Sequence, residues 1–232
     1  MITIYLIASV LIGTGLFLNR GKALNYTLIC LFLVLQCAFT VYACLHYTET
    51  TANYFTFDSL GLIMLLTATI ISIPAVFHSY IYIEESEEMT PRSRATYFGA
   101  IVFLITAVSA AYLANHIAVV WIFTEITTLS ASALIYHHRN KLALEGTWKY
   151  VFICAISITF VFIGILFLSL SFANAHSDDL SYKNLLLHSS LLNSSWLRLA
   201  FLFIFTGFTA KLGLFPMFTA GVDAKDKAPG PA

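Results

Sequence analysis

The segment from Val119 to Ile135 reads VVWIFTEITTLSASALI. It is apolar over a length within the range of about 17–25 residues that a helix needs to cross a bilayer. Its one formal charge is Glu125, near the middle. An ionisable side chain at that depth is costly and usually faces a bundle interior or a water-filled path along which protons or ions move. Glu125 therefore indicates a functional site inside a membrane.

The composition of the whole chain predicts an all-α membrane protein with many spans. Of its 232 residues, 59% are hydrophobic and 10% are charged, and the mean hydropathy is +0.84. Soluble domains contain about 25% charged residues. The formal net charge is +0, so nothing in the charge balance indicates a nucleic-acid partner. The four cysteines lack the spacing of metal ligands, and we expect neither a metal nor a cofactor in this chain.

The sequence contains about seven hydrophobic segments that are long enough to cross a membrane as helices. Gly213, Pro216 and Gly221 disfavour a regular helix at the end of the last one, which is therefore predicted to break near its cytoplasmic end. We expect three helices in residues 1–94, and four helices with a polar C-terminal tail in residues 95–232. The predicted spans are 2–18, 24–45, 57–83, 95–114, 117–136, 148–172 and 197–218.

Lysine and arginine in the short loops predict the orientation. Cytoplasmic loops carry an excess of these residues. The predicted loops one, three and five each hold two of them, whereas loops two and four hold none. The N-terminus is therefore expected outside. The residues concerned are Arg20, Lys22, Arg92, Arg94, Arg139 and Lys141.

Three charges lie in or at the hydrophobic spans: Glu125, Lys149 and Lys211. Thr128 and Ser132 share a helix face with Glu125 and make a polar stripe, which suits either helix packing or a hydrated path. A carboxylate and an ammonium in a low dielectric control each other's protonation, so a change in their separation can release or capture a proton. A static salt bridge between helices is the alternative. Lys149 lies near the interface and could instead extend its ammonium into the cytoplasm.

His137 and His138 end the fifth span on its predicted cytoplasmic side. Histidine titrates near neutral pH, so the pair is a candidate proton relay. The alternative is that both are simple interfacial residues beside Arg139.

Three motifs together resemble one known family. They are WIFTEITTLSASALI (Trp121 to Ile135), HRNKLALEGTWKY (His138 to Tyr150) and GFTAKLGLFP (Gly207 to Pro216). They are similar to the fifth helix, the start of the sixth helix and the broken seventh helix of antiporter-like, proton-translocating subunits. Such subunits occur in respiratory complex I, membrane-bound hydrogenases and multi-subunit cation/proton antiporters. The specific resemblance covers roughly residues 90–232.

The resemblance implies a function and a setting. Lys211 would be the central proton carrier, Glu125 its electrostatic partner, and Lys149 an alternative partner or part of the input path. The chain would do no redox chemistry itself. It would translocate H⁺ or Na⁺ as a subunit of a redox-driven complex, beside other membrane subunits, in the plasma membrane of a prokaryote.

The sequence departs from the family in two respects. After the lysine helix, Phe218 and Lys225 stand where the family has histidines, and Ala220 where it has tryptophan. Lys225 is therefore a candidate relay in place of a histidine. The resemblance also implies an inverted-repeat fold of which this chain is only the N-terminal half, so that a partner chain or further residues would complete it.

Two other functions fit parts of the pattern. A lysine in a seventh helix also occurs in retinal-binding proteins, but Gly207 occupies the position where a counter-ion on the same face would be expected. A structural membrane anchor, with Glu125 and Lys211 as a static pair, is the second alternative.

Overall fold

The computed structural model of the protein describes residues 1–19, 21–47, 50–51, 54–85, 89–172, 179–214 and 218–231. Arg20 and Pro216, on which two of the predictions above drew, lie outside the described residues. Within these residues the fold is helical, apart from two short antiparallel strands, β1 (Thr50–Thr51) and β2 (Phe55–Thr56). The α-helices are α1 (Ile2–Leu18), α2 (Lys22–Leu45), α3 (Ser59–Glu85), α4 (Pro91–Tyr112), α5 (Ile117–Ile135), α6 (Lys141–Ser171), α7 (Tyr182–Leu187), α8 (Ser194–Lys211) and α9 (Phe218–Lys227).

The prediction of an all-α membrane protein is confirmed. Five helices in the described part of the chain, α2 to α6, are long and apolar enough to cross a membrane, and α1 is apolar but shorter. Helix α8, with 18 residues, contains Arg198 and Lys211 and is not among these five. A helix nevertheless lies at each of the seven predicted spans.

Two predicted boundaries need correction. Helix α6 begins at Lys141 rather than at residue 148, because Asn140 caps it by accepting a hydrogen bond from Ala143 N at 2.6 Å. The predicted polar tail contains a helix, α9, and Gly221 lies within it. Propensity is a weak guide in a segment whose stability comes from packing. Helix α9 packs against α6 and α5.

Local signals in the sequence define the turns between the spans. Thr90 caps α4 by accepting a hydrogen bond from Ser93 N at 3.2 Å, and Pro91 takes the first helical position, where its missing N–H costs nothing. Arg139 adopts a left-handed conformation (φ 51°) after the 3₁₀ turn Tyr136–His138. This residue reverses the chain between α5 and α6.

A buried hydrogen-bond network joins the first four helices. Gln36 of α2 accepts from Tyr5 Oη at 2.5 Å and donates from Nε2 to Thr69 Oγ1 at 3.0 Å and Ser109 Oγ at 3.1 Å. Thr40 contacts Thr69 at 2.8 Å. These polar side chains are buried, and the network fixes α1, α2, α3 and α4 relative to one another.

Helix α8 approaches α6 closely at two glycines. A Cβ atom on Gly207 would lie 2.5 Å from Ser157 O, and one on Gly164 would lie 2.5 Å from Ile204 Cγ1. Small residues permit such backbone approach between membrane helices. Lys211 follows Gly207 by four residues and therefore shares its face of α8. The close contact between α8 and α6 thus fixes the position of Lys211.

We expect Gln36→Leu to weaken the N-terminal helices. It leaves the hydroxyls of Tyr5, Thr69 and Ser109 without this partner, and at about 0.6 kcal/mol per interhelical hydrogen bond the loss is about 2 kcal/mol. Thermal unfolding of the purified protein in detergent measures it. Thr67→Val is the matched control, because exposed Thr67 donates only to Ile63 O of its own helix. Equal stability of the Gln36 variant and the control would contradict a stabilising role of the network.

Candidate functional site

The structure brings Glu125 and Lys211 together. Lys211 Nζ lies 3.9 Å from Glu125 Oε2, and the lysine and glutamate side chains are 11% and 30% exposed. Glu125 is in the middle of α5, whereas Lys211 is the last residue of α8. The end of α8 is therefore level with the middle of a spanning helix. The predicted break of the seventh span is confirmed, and it lies level with the middle of α5 rather than near the cytoplasmic end of the span.

The break itself favours a cation at this point. The backbone turns at Leu212 and Gly213, where the glycine has a φ of 69° that L side chains rarely adopt. The last carbonyl groups of a helix carry partial negative charge. Lys211 occupies the last turn of α8, so the helix dipole stabilises its ammonium inside the membrane.

The hydrogen bonds of Lys211 go to threonine rather than to glutamate. Its Nζ donates to the carbonyl oxygen of Thr124 at 3.2 Å and to the hydroxyl of Thr128. Thr128 is 1% exposed. Charge-assisted hydrogen bonds from an ammonium to a carboxylate span about 2.8 Å, so the 3.9 Å separation from Glu125 is an electrostatic contact without a hydrogen bond. Among the described residues Glu125 Oε2 has no hydrogen-bond partner.

A cavity of about 380 Å³ extends from Lys211 to Lys225. Helices α4, α5, α6, α8 and α9 all contribute to its wall. Tyr150 and Cys154 of α6 line it, and Cys154 is buried. Lys225 of α9 is exposed and lines the same cavity. The sequence-predicted residues Lys211 and Lys225 therefore share one space.

Lys149 occupies a separate position. It forms ion pairs with Glu145 of the same helix at 2.7 Å and with Asp223 of α9 at 3.2 Å, and its side chain is 49% exposed. Exposed ion pairs of this kind add little to stability, because water screens them. Lys149 thus links α6 to α9, beside the cavity, rather than pairing with Glu125.

His137 and His138 lie in a different cluster. His138 Nε2 is 3.4 Å from Tyr82 Oη, and the ring of His137 lies 4.9 Å from that of Tyr97. Both tyrosines belong to helices on the N-terminal side, α3 and α4. The pair is about 18 Å from Glu125 along α5, at about 1.5 Å per residue. The structure does not bring the histidines to Lys211.

Three participants were not predicted from the sequence: Glu145, Cys154 and Asp223. The i, i+4 spacing of Glu145 and Lys149 was a readable signal. The thiol of Cys154 had no such signal, because only the packing of α8 against α6 brings it near Lys211. Within the ranges that the structure describes, no group of three or more His, Cys, Asp or Glu side chains is arranged to hold a metal ion.

Known proteins resemble this chain over the region that contains α5, α6, α8 and α9. The family model described as "NADH:quinone oxidoreductase/Mrp antiporter, TM" matches residues 114–232, which include α5, α6, α8 and α9. The chain is 27% identical over 189 residues to a hydrogenase-4 component F homolog of Methylacidiphilum infernorum, covering 79% of this chain and 40% of that protein. It is 26% identical over 126 residues to a Na⁺/H⁺ antiporter subunit of Bacillus subtilis, covering 54% of this chain and 24% of the relative.

A solved structure shares the fold. A chain of the membrane-bound sulfane sulfur reductase, an archaeal respiratory membrane complex, superimposes with a TM-score of 0.84 at 17% identity, over 99% of this chain and 48% of that one. The chain thus spans less than half of the length of these relatives. The predicted antiporter-like fold is confirmed, and nothing in these likenesses supports the retinal-binding alternative. Because the family model matches more than half of the residues, the chain belongs to the transmembrane family of NADH:quinone oxidoreductase and Mrp antiporter subunits.

Proposed function

We propose that the protein translocates protons, or Na⁺, across the membrane as an antiporter-like subunit of a redox-driven complex. Lys211 is the proton carrier and Glu125 is its electrostatic partner. The observation that carries the proposal is the placement of these two charges from different helices at mid-membrane depth, 3.9 Å apart and without a direct hydrogen bond. A pair at that separation responds to small helix movements, because Coulomb energy in a low dielectric changes steeply with distance.

The cavity supplies the second part of the proposal. A carrier lysine needs a route to one side of the membrane, and the cavity extends from Lys211 to the exposed Lys225. Lys225 serves as the outer relay. Lys149 acts on the input side through α9, whose Asp223 it holds. The histidines His137 and His138 have no part in the route to Lys211, since their contacts are with Tyr82 and Tyr97.

The relatives support the proposed setting, and the lysines and arginines of the short loops support the orientation. We place the chain in the plasma membrane of a prokaryote with its N-terminus outside, beside other membrane subunits and with a redox module as the energy source. Residues 1–94 then form the N-terminal helices and residues 95–232 a partial antiporter-like repeat. A static structural anchor is the competing role, in which the Glu125–Lys211 pair only joins α5 to α8.

Replacing either Glu125 or Lys211 distinguishes ion translocation from a purely structural role. In the assembled complex, Glu125→Gln and Lys211→Ala are each expected to slow ion transport by about tenfold or more, which corresponds to about 1.4 kcal/mol in a barrier. Transport is measured in everted membrane vesicles by a pH-sensitive dye, with the amount of assembled complex determined in parallel.

Glu84→Gln is the matched control for this experiment. Glu84 also faces a lysine, Lys22, at 2.7 Å, but it lies at the end of α3, away from the cavity. Its variant is expected to transport normally. Normal transport by the Glu125 and Lys211 variants in assembled complex would favour the structural anchor instead.

Cys154 tests the cavity as the access route. After replacement of Cys30, Cys37 and Cys44 by serine, a small, charged, membrane-impermeant thiol reagent is expected to reach Cys154 from the α9 side only. Modification then stops transport, since Cys154 lines the same cavity as Lys211. A Cys154→Ser variant is the control. Labelling from the opposite side, or full transport after complete labelling, would be inconsistent with this route.

A further inference from the structure

Thr128 makes a contact that the charge-pair mechanism does not require. Its hydroxyl accepts a hydrogen bond from Lys211 Nζ and lies 3.3 Å from the carbonyl oxygen of Thr124, to which it donates. The side chain is almost completely buried. A lysine ammonium only donates, whereas a hydroxyl has one donor and two acceptor positions. The hydroxyl therefore points its hydrogen at Thr124 and a lone pair at the lysine.

Both hydrogen bonds of Lys211 to α5 go to threonine oxygens. Thr124 and Thr128 are one helical turn apart on α5, and the carbonyl oxygen of the first and the hydroxyl of the second both accept from the ammonium. Glu125 Oε2, although next to Thr124 in sequence, remains 3.9 Å away with no hydrogen-bond partner in the described chain. Two neutral acceptors thus take the hydrogen bonds that the carboxylate would otherwise receive.

The same hydroxyl suits the lysine in either protonation state. When the ammonium loses its proton, the amine nitrogen gains a lone pair and becomes an acceptor. The Thr128 hydroxyl can then rotate and donate to that nitrogen. An ionised carboxylate cannot do this, because it only accepts. The Thr128 hydroxyl can therefore bond the lysine nitrogen in both the protonated and the neutral state. A buried polar atom without a hydrogen-bond partner costs free energy, and this arrangement avoids that cost when Lys211 loses its proton.

We propose that Thr128 is the positioning residue of the charge pair. Its hydroxyl holds protonated Lys211 away from Glu125 and remains the hydrogen-bond partner of the neutral amine after the proton has left through the cavity. The proposal rests on the proposed function, since it assigns Thr128 a part in the protonation cycle of Lys211.

Substitutions that separate hydroxyl chemistry from side-chain volume test this role. In the assembled complex, Thr128→Val keeps the shape and removes the hydroxyl, and it is expected to slow transport by about tenfold or more, the effect of losing one hydrogen bond to a charged group. Thr128→Ser keeps the hydroxyl and is expected to retain transport within about twofold. Should Thr128→Val prevent assembly, the pair Thr128→Ala and Thr128→Ser gives the same comparison.

Thr127→Val is the matched control on the same helix. The Thr127 hydroxyl donates to Thr124 O at 2.6 Å, an oxygen that also accepts from Lys211, but the described structure gives no hydrogen bond between Thr127 and Lys211 themselves. Its variant is expected to transport normally. Normal transport by Thr128→Val, or equal losses in Thr128→Val and Thr128→Ser, would overturn the proposal.

The outcome is distinguishable from a failure of the proposed function. If Glu125→Gln and Lys211→Ala lose transport while Thr128→Val does not, the charge pair stands and the role of Thr128 is rejected. If all of these variants transport normally, the proposed function itself is rejected.

Discussion

The close approach of α8 to α6 is the constraint on which the site depends. Gly207 lets the two backbones meet at a distance that a side chain would not allow, since its Cβ would fall 2.5 Å from Ser157 O. One turn later α8 ends at Lys211, and the left-handed Gly213 turns the chain away. The result is a helix end inside the membrane, with an ammonium at its negative pole. This placement brings Lys211 into contact with Glu125 and Thr128 and into the wall of the cavity.

A charge at the centre of a membrane helix costs about 3 kcal/mol on the scale measured by translocon insertion. The protein offsets this with the dipole of α8, the acceptors of α5 and the nearby carboxylate. It does not use the strongest arrangement available, which would be a direct hydrogen bond from Lys211 to Glu125. A site built only to join helices would gain from that bond. The separation of 3.9 Å instead leaves the lysine responsive to movements of α5 relative to α8.

Much of this could be predicted from the sequence, because hydrophobic length and isolated charges are local signals. All seven predicted spans contain a helix, and the structure places Glu125 and Lys211 3.9 Å apart. The tail was mistaken for irregular chain, because Gly221 weakens a helix by propensity while the packing of α9 on α6 stabilises it. For Lys149 the sequence left open a pairing with Glu125, a place on the input path or an interfacial position, and its ion pair with Asp223 of α9 was not predicted. Contacts between distant helices decide such pairings, and no spacing within one segment reveals them.

The protonation of Lys211 is the central claim, and Lys211→Arg tests it most directly. Arginine keeps the positive charge and can still face Glu125, but it does not lose its proton in proteins. The measurement is ion transport by assembled complex in everted vesicles. If Lys211 carries the proton, the variant assembles and transport falls to background. Transport at the unmodified rate would show that a fixed charge is sufficient, and would contradict the role of Lys211 as carrier.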